Sequence, residues 1–312
     1  MSRSTRFVLL IAAMAFVSIV SYFHSHAENP NFGSRVDLGL IEHPAIREAS
    51  GIAASRKNPG VLWTHNDSDN ANLLFALNLR GRHLGKYYIG SVPNRDWEDM
   101  AVGPGPIEGE QYLYVGDIGD NDAEHYIKYI YRILEPSVDS SQSPVDSTLT
   151  DFDVIAYRYP DGERDAETLL VDPKSKDIYI VSKREDRVRV YRAAFPQDTE
   201  RVSLLEYVTS INLNQITGGD ISSTGSEILL KTYTTVYYWY RSPTQSIAET
   251  LNKDPVIVPY VPEPQGEAIT WAPDAMGYYT VSEEVKIIPA RLYFYPRIVP
   301  MPVKPTYFLV KY

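Results

Sequence analysis

Ser50-Gly51-Ile52, Glu98-Asp99-Met100, Glu167-Thr168-Leu169, Gly219-Asp220-Ile221 and Glu267-Ala268-Ile269 are five versions of one short phrase. Each has small or acidic residues at its first two positions and an aliphatic residue at the third. The aliphatic positions lie 48, 69, 52 and 48 residues apart. Most copies run into a turn such as Asp172-Pro173, Ser223-Thr224-Gly225 or Ala272-Pro273-Asp274. A near-constant period of this length, built from strand-like segments, is the signature of a β-propeller.

Working outward from each phrase gives four short strands per unit. In the first unit these are 51–54, 61–65, 73–79 and 83–89, separated by turn residues such as Lys57-Asn58-Pro59-Gly60 and Arg80-Gly81. The second unit repeats the order with strands at 100–102, 112–115, 126–134 and 152–159. Its extra length, residues 136–150, is rich in Ser, Asp and Pro and reads as an exposed insertion. The third unit places strands at 169–171, 178–181, 188–191 and 203–211, and the fourth at 221–223, 228–230, 236–240 and 256–261. The fifth has only three, at 269–271, 278–281 and 292–295. The unassigned strand 35–42 supplies the fourth, because a propeller ring closes when one terminus completes the other's blade and hides the open edge. The expectation is an all-β propeller of five four-stranded antiparallel blades over residues 35–298. A sixth blade enters only if residues 299–312, otherwise a tail or added strand, contribute to it.

Composition narrows the function classes. The chain has 312 residues, 44% of them hydrophobic, and 24 tyrosines, which favours a sizeable β core. A formal net charge of −10 argues against nucleic acid as a partner, which would need a basic face. There is no cysteine, so disulfides, thiolate chemistry and Cys-ligated zinc are excluded. Arg3 and Arg6, an apolar run over residues 7–20 and Ser25-His26-Ala27 read as a signal peptide, residues 1–27. The run is shorter than the roughly 20 residues of a membrane span. An uncleaved anchor is the alternative. A linker, 28–34, then leads to a periplasmic or secreted domain with no membrane span in the mature protein, expected to be a monomer.

Antiparallel alternation sorts the loops onto two faces. Approach loops into the first strand and loops joining second to third strands share one face; the other loops share the opposite one. The second set is ordinary turn chemistry. The first set carries Asn94-Arg95-Asp96-Trp97-Glu98-Asp99, Arg164-Asp165-Ala166-Glu167, Thr217-Gly218-Gly219-Asp220 and Gln265-Gly266-Glu267. It also carries His65 to Asp69, Asp117 to Asn121, Lys183-Arg184-Glu185, Lys231 to Thr234 and Ser282-Glu283-Glu284. Functional groups thus concentrate on one face of a rigid scaffold. Glu98, Asp99, Glu167, Asp220 and Glu267 are expected to ring the channel, with Glu284 nearby. Crowded carboxylates must be protonated, paired or bound to a cation, and hard oxygen ligands favour Ca²⁺. The competing reading has them cap strands or pair with Arg95, Arg164, Lys183 and Arg184. His65, Asp67, Trp97, Asp117, Asp120, Asn121, Lys183, Tyr233 and Glu283 are candidate contacts for a small-molecule or envelope ligand at the acidic face. Should the site be catalytic, His65, Lys183, Arg184 and Lys231 are the groups able to move protons or hold anions. Gly-x-Ser-x-Gly, Walker and HExxH motifs are absent.

The phrases HNDSD (65–69), NRDWEDMAVGPGP (94–106), YLYVGDIGDN (112–121), YRILEP (131–136), DAETLLVDP (165–173), TGGDIS (217–222) and GEAITWAPDAMGYYTVSEE (266–284) resemble those of a group of exported bacterial propeller proteins with no assigned activity. The resemblance spans about residues 45–295. The last phrase is also distantly similar to the calcium-dependent β-propeller phytases. That likeness implies Ca²⁺ held by carboxylates such as Glu267, Glu283 and Glu284, and a phosphoester-hydrolase alternative in which the ion neutralises phosphate and activates water. No set of basic, phosphate-gripping residues matches.

Overall fold

The computed structural model describes residues 30–68 and 70–298. The expected signal peptide, Asp69 and the 299–312 tail lie outside the described residues. Among the described residues, twenty-two strands form five sheets around a central channel. Strand β1 (Val36–Leu40) pairs antiparallel with β22 (Arg291–Pro296) and completes the sheet of β20 (Gly266–Trp271) and β21 (Gly277–Ser282). The N-terminal strand therefore closes the ring, as the missing strand of the fifth unit required. Upstream, Phe32 in the expected linker is buried: it bridges to Arg297 and packs edge-on to Tyr278, with ring centres 5.0 Å apart.

Blade 1 holds β2 (Ala49–Ala54), β3 (Val61–Asn66), β4 (Leu73–Asn78) and β5 (His83–Ile89). Blade 2 holds β6 (Trp97–Pro104), β7 (Gln111–Asp117), β8 (Lys128–Leu134) and β10 (Phe152–Arg158). Blade 3 is β11 (Ala166–Val171), β12 (Ile178–Ser182), β13 (Arg189–Ala193) and β15 (Glu206–Ser210), and blade 4 is β16 (Ile216–Ile221), β17 (Glu227–Thr232), β18 (Val236–Tyr240) and β19 (Val256–Val258). The first strand of each blade packs against its counterparts in both neighbouring blades, so all five line the channel. Burial on both faces explains why these strands do not alternate in polarity: β2, β11, β16 and β20 are buried at every position.

Two segments depart from the simple repeat. Part of the insertion is ordered as β9 (Val145–Leu149), which adds parallel to β5 as a fifth strand of blade 1. The stretch expected as one strand at 203–211 is split. β14 (Ser203–Leu204) joins blade 2 in parallel, and β15 stays in blade 3. Among the described residues one short helix, α1 (Ile247–Leu251), begins with a capping box in which Ser246 and Glu249 satisfy each other's backbone N–H groups. Five apolar layers fill the gaps between blades. Trp63, Trp97 and Tyr131 lie in the layer between blades 1 and 2, and Tyr238, Trp271, Tyr278 and Tyr295 between blades 4 and 5. All four tryptophans are thus core residues.

The repeated phrase is a repeated bulge. In every blade the pairing of first and second strands slips by one residue at the same place: between Ala49 and Gly51, Trp97 and Asp99, Ala166 and Thr168, Ile216 and Gly218, and Gly266 and Ala268. The residues left without a ladder partner are Ser50, Glu98, Glu167, Thr217 and Glu267. A bulge re-aims its side chain away from the regular pleat. This register also corrects the fourth copy of the phrase. Its equivalent in blade 4 is Thr217-Gly218-Gly219, two residues earlier than Gly219-Asp220-Ile221.

Candidate functional site

The bulged residues meet at one mouth of the channel. Ser50 Oγ donates to the Glu98 carbonyl at 2.6 Å and lies 3.3 Å from Glu267 Oε2. Tyr233 Oη donates to Glu267 Oε1 at 2.8 Å, and Lys183 Nζ donates to Tyr233 Oη at 3.1 Å while also forming an ion pair with Glu167. Glu98, Glu167 and Glu267 are each about 95% buried.

Around Glu98 the carboxylates converge. Asp67, Asp96 and Glu98 each offer an oxygen within 4.8 Å of the others, and so do Glu98, Asp165 and Glu167. Glu98 belongs to both groups. Among the described residues no lysine or arginine pairs with Asp67, Asp96 or Glu98, and Glu167 Oε2 is buried with no hydrogen-bond partner. Asp165 is better supported, by Arg184 Nε at 2.5 Å and the Asp120 N–H at 2.9 Å. The backbone of Gly119 runs directly beneath the cluster. A Cβ at this position would collide with the carboxylates of Glu98 and Asp96.

Burial, and then the neighbouring carboxylates, push the pKa of Glu98 well above the ordinary range. Burial raises Asp67 to about 6, and burial followed by Glu267 raises Glu283 to about 8. Burial also raises Glu167, with the opposing pull of Lys183 only partly offsetting it. Lys183 itself is raised, because Glu167 outweighs the effect of burial. The mouth is therefore a desolvated, acid-rich site short of positive charge.

Other expected site residues have different surroundings. Asp99 accepts the N–H groups of Met100 and, across the blade boundary, Leu169, at 2.8 and 2.9 Å. Asp220 accepts from Trp271 N and Thr270 Oγ1 at 2.8 and 2.9 Å. It sits with Arg56, Ser223 and Pro273 near the opposite end of the channel and is not brought to the mouth. Glu284 is exposed, with its backbone N–H bonded to Arg47 O at 2.6 Å, and stands outside the cluster. Asp117 receives the Asp96 N–H at 3.1 Å and faces Arg95 at 3.4 Å; Asp120 is paired with Lys128 at 2.8 Å. Both are buried organisers of the blade 2 loop, whereas Asn121 lies at the surface against Arg184. His65 is fully buried, edge-on to Trp97 at 5.7 Å, and burial lowers its pKa to about 4, so its ring is neutral. Lys231 is sealed against backbone carbonyls of Thr232 and Gly266 beside Tyr260, and burial lowers it to about 8.

Asp96 and Asp165 are the site residues that the phrase alone did not single out. Each stands two positions before a bulged glutamate, in Asp96-Trp97-Glu98 and Asp165-Ala166-Glu167. A tandem Asp-x-Glu in successive blades was the available signal. The corresponding positions elsewhere are Glu48, Gln215 and Gln265, so at this position blades 1–3 carry acids and blades 4–5 carry amides.

This fold and site define a five-bladed β-propeller with an acidic channel mouth. No protein-family model matches the chain, and no curated protein matches it. Solved structures with a similar fold include the nidogen/laminin complex, with 10% identity, TM-score 0.45, 78% of this chain and 74% of that chain covered. A Xanthomonas campestris gluconolactonase described as important in secondary glucose metabolism aligns with 12% identity and TM-score 0.45, over 88% of this chain and 92% of that one.

Proposed function

We propose that the protein is an exported, monomeric binding propeller whose channel mouth holds Ca²⁺ and uses it, with the surrounding loops, to bind a small-molecule or envelope ligand. The carrying observation is Glu98: a buried carboxylate with no cationic partner among the described residues, shared by two carboxylate triads. Ca²⁺ sits about 2.3–2.6 Å from its oxygen ligands, so ligands on opposite sides of an ion stand roughly 5 Å apart. The oxygen separations of both triads fit that limit. Asp67, Asp96, Glu98, Asp165 and Glu167 would supply the hard oxygen donors, and the ion would supply the missing positive charge. Gly119 supports the same reading, because its lack of a side chain leaves room where the carboxylates meet.

No geometric observation favours the phosphoester-hydrolase alternative. Lys183 is committed to Glu167 and Tyr233, Lys231 and His65 are sealed, and Arg184 alone among the candidate catalytic groups has a substantially exposed side chain.

Calorimetric titration of Ca²⁺ into the wild-type protein and Glu98→Gln tests the reading. The expected result is saturable binding that raises the melting temperature of the wild type and is lost in the variant. Absence of both heat and stabilisation with Ca²⁺, Mg²⁺ and Mn²⁺ would overturn it. Gly119→Ala should weaken Ca²⁺ binding by about tenfold or more, a loss of roughly 1.4 kcal/mol, by displacing Glu98 and Asp96. Unchanged affinity in that variant would remove Gly119 from the site.

A further inference from the structure

The mouth opens into a cleft of about 470 Å³ between blades 3 and 4. That volume lies within the roughly 300–1,000 Å³ typical of small-molecule sites. Its walls carry Asn212, Asn214 and Gln215 from the approach loop of blade 4, and Tyr233 and Tyr237 from the hairpin joining β17 to β18. Asp186 is its single carboxylate, and no lysine or arginine lines it. Among the described residues the side-chain amides of Asn212, Asn214 and Gln215 make no hydrogen bond within the protein. The inner end of the cleft is Tyr233, whose hydroxyl touches both Glu267 and Lys183.

Gln215 is an exposed loop residue that enters the bulge of its blade in an unusual conformation. Its φ is +54°, in the left-handed region that disfavours a residue with a Cβ, and its N–H is fixed to Lys183 O at 2.8 Å. Gln265, at the same position in blade 5, is also left-handed, with φ +45°. There the amide is used internally, donating to Glu283 at 3.3 Å. In blade 4 the same device leaves the amide free at the cleft.

We propose that this cleft binds a neutral saccharide of one or two rings. Three primary amides each offer a donor and an acceptor, the pairing that adjacent sugar hydroxyls require. Asp186 adds an acceptor for hydroxyl hydrogens, and the two tyrosines supply amphipathic walls for the C–H faces of a ring. The absence of lysine and arginine from the lining, next to an acidic mouth, disfavours phosphates and carboxylates. The inference extends the reading of a ligand-binding mouth, but the cleft residues do not depend on the ion.

The test is saturation-transfer NMR and calorimetry with maltose, cellobiose, lactose and N,N′-diacetylchitobiose, alongside glucose 6-phosphate and galacturonate. Each is run in Ca²⁺ and in chelator. At least one neutral disaccharide should bind at up to about 10 mM, and Tyr237→Ala and Gln215→Gly should weaken it about tenfold or more. Gln215→Gly relieves the left-handed strain, so it should keep or raise the melting temperature, and loss of binding in it cannot come from unfolding. Both variants should retain wild-type Ca²⁺ titrations. Failure of every neutral sugar, binding of the charged sugars alone, or sugar binding unaffected by both variants would overturn the proposal. Saccharide binding that survives chelation, with no Ca²⁺ heat in the wild type, would remove the ion and leave the cleft standing.

Discussion

Glu98 and Asp99 are adjacent in the chain, similarly buried and similar in charge, yet they belong to different parts of the molecule. The bulge turns Glu98 into the mouth, among other carboxylates and without a cationic partner among the described residues. Asp99, one residue deeper, accepts the N–H groups of Met100 and Leu169 and ties blade 2 to blade 3, although burial still raises its pKa well above the ordinary range. Asp220 has the same kind of role between blades 4 and 5, and Thr270 carries that link on to Ala54 of blade 1. The deeper carboxylates are spent on holding inner strands together. Those at the mouth are not spent, and that difference distinguishes a structural acid from a site acid better than burial or charge alone.

The largest effects should come from the deeper acids. Asp99→Ala and Asp220→Ala each leave a buried N–H of a neighbouring blade without its acceptor, and each should cost about 2 kcal/mol in denaturant unfolding. Ca²⁺ binding should survive in whatever fraction remains folded. A neutral effect on stability would dissolve the distinction between the two rings. Glu98→Gln should act in the opposite direction. It removes a charge that is buried without compensation, so the metal-free protein should gain about 1 kcal/mol while losing Ca²⁺. Destabilisation of that size instead would place Glu98 with Asp99 among the structural acids.

The pH dependence follows with a definite sign. Asp67 and Glu283 have folded-state pKa values of about 6 and about 8, above those of unfolded carboxyls near 4. The folded state therefore holds protons that the unfolded state releases. The stability contributed by these groups is complete below about pH 4 and is lost as pH rises toward 8. In chelator the melting temperature should fall across that window, and saturating Ca²⁺ should flatten the slope. A metal-free protein whose stability rises over the same interval would contradict the raised values. The smallest effect is expected for Thr217→Val. Thr217 occupies the bulge of blade 4, but its hydroxyl makes only long contacts, at 3.4 and 3.5 Å. Its loss should change stability by about 0.5 kcal/mol or less and leave Ca²⁺ titration unchanged.

The period of the phrase made the ring legible, because four strands per blade force an inner strand to recur at nearly constant spacing. The missing fourth strand of the last unit made the N-terminal closure legible as well. The bulge was hidden, since a one-residue slip in pairing leaves no mark in hydrophobic pattern. That is why Gly219-Asp220-Ile221 looked like the fourth copy when Thr217-Gly218-Gly219 holds the place. Asp99 and Asp220 looked like site residues because composition does not reveal where backbone donors lie. Asp96 and Asp165 lie in the acidic approach loops but precede the repeat, so the phrase does not single them out as ligands, although Asp-x-Glu appears before the same bulge in both blades. β9 is obscured by the Ser, Asp and Pro around it, and α1 is not expected from the strand pattern, although Ser246-x-x-Glu249 precedes it.

Diffraction from crystals soaked in Ca²⁺, with the anomalous signal recorded, tests the central claim most directly. The expected result is a peak bounded by the carboxylates of Asp96, Glu98 and either Asp67 or Asp165 and Glu167, above Gly119, that is absent from Glu98→Gln crystals. A mouth with no anomalous peak, and with Glu98 hydrogen-bonded or ion-paired to protein groups alone, would contradict it.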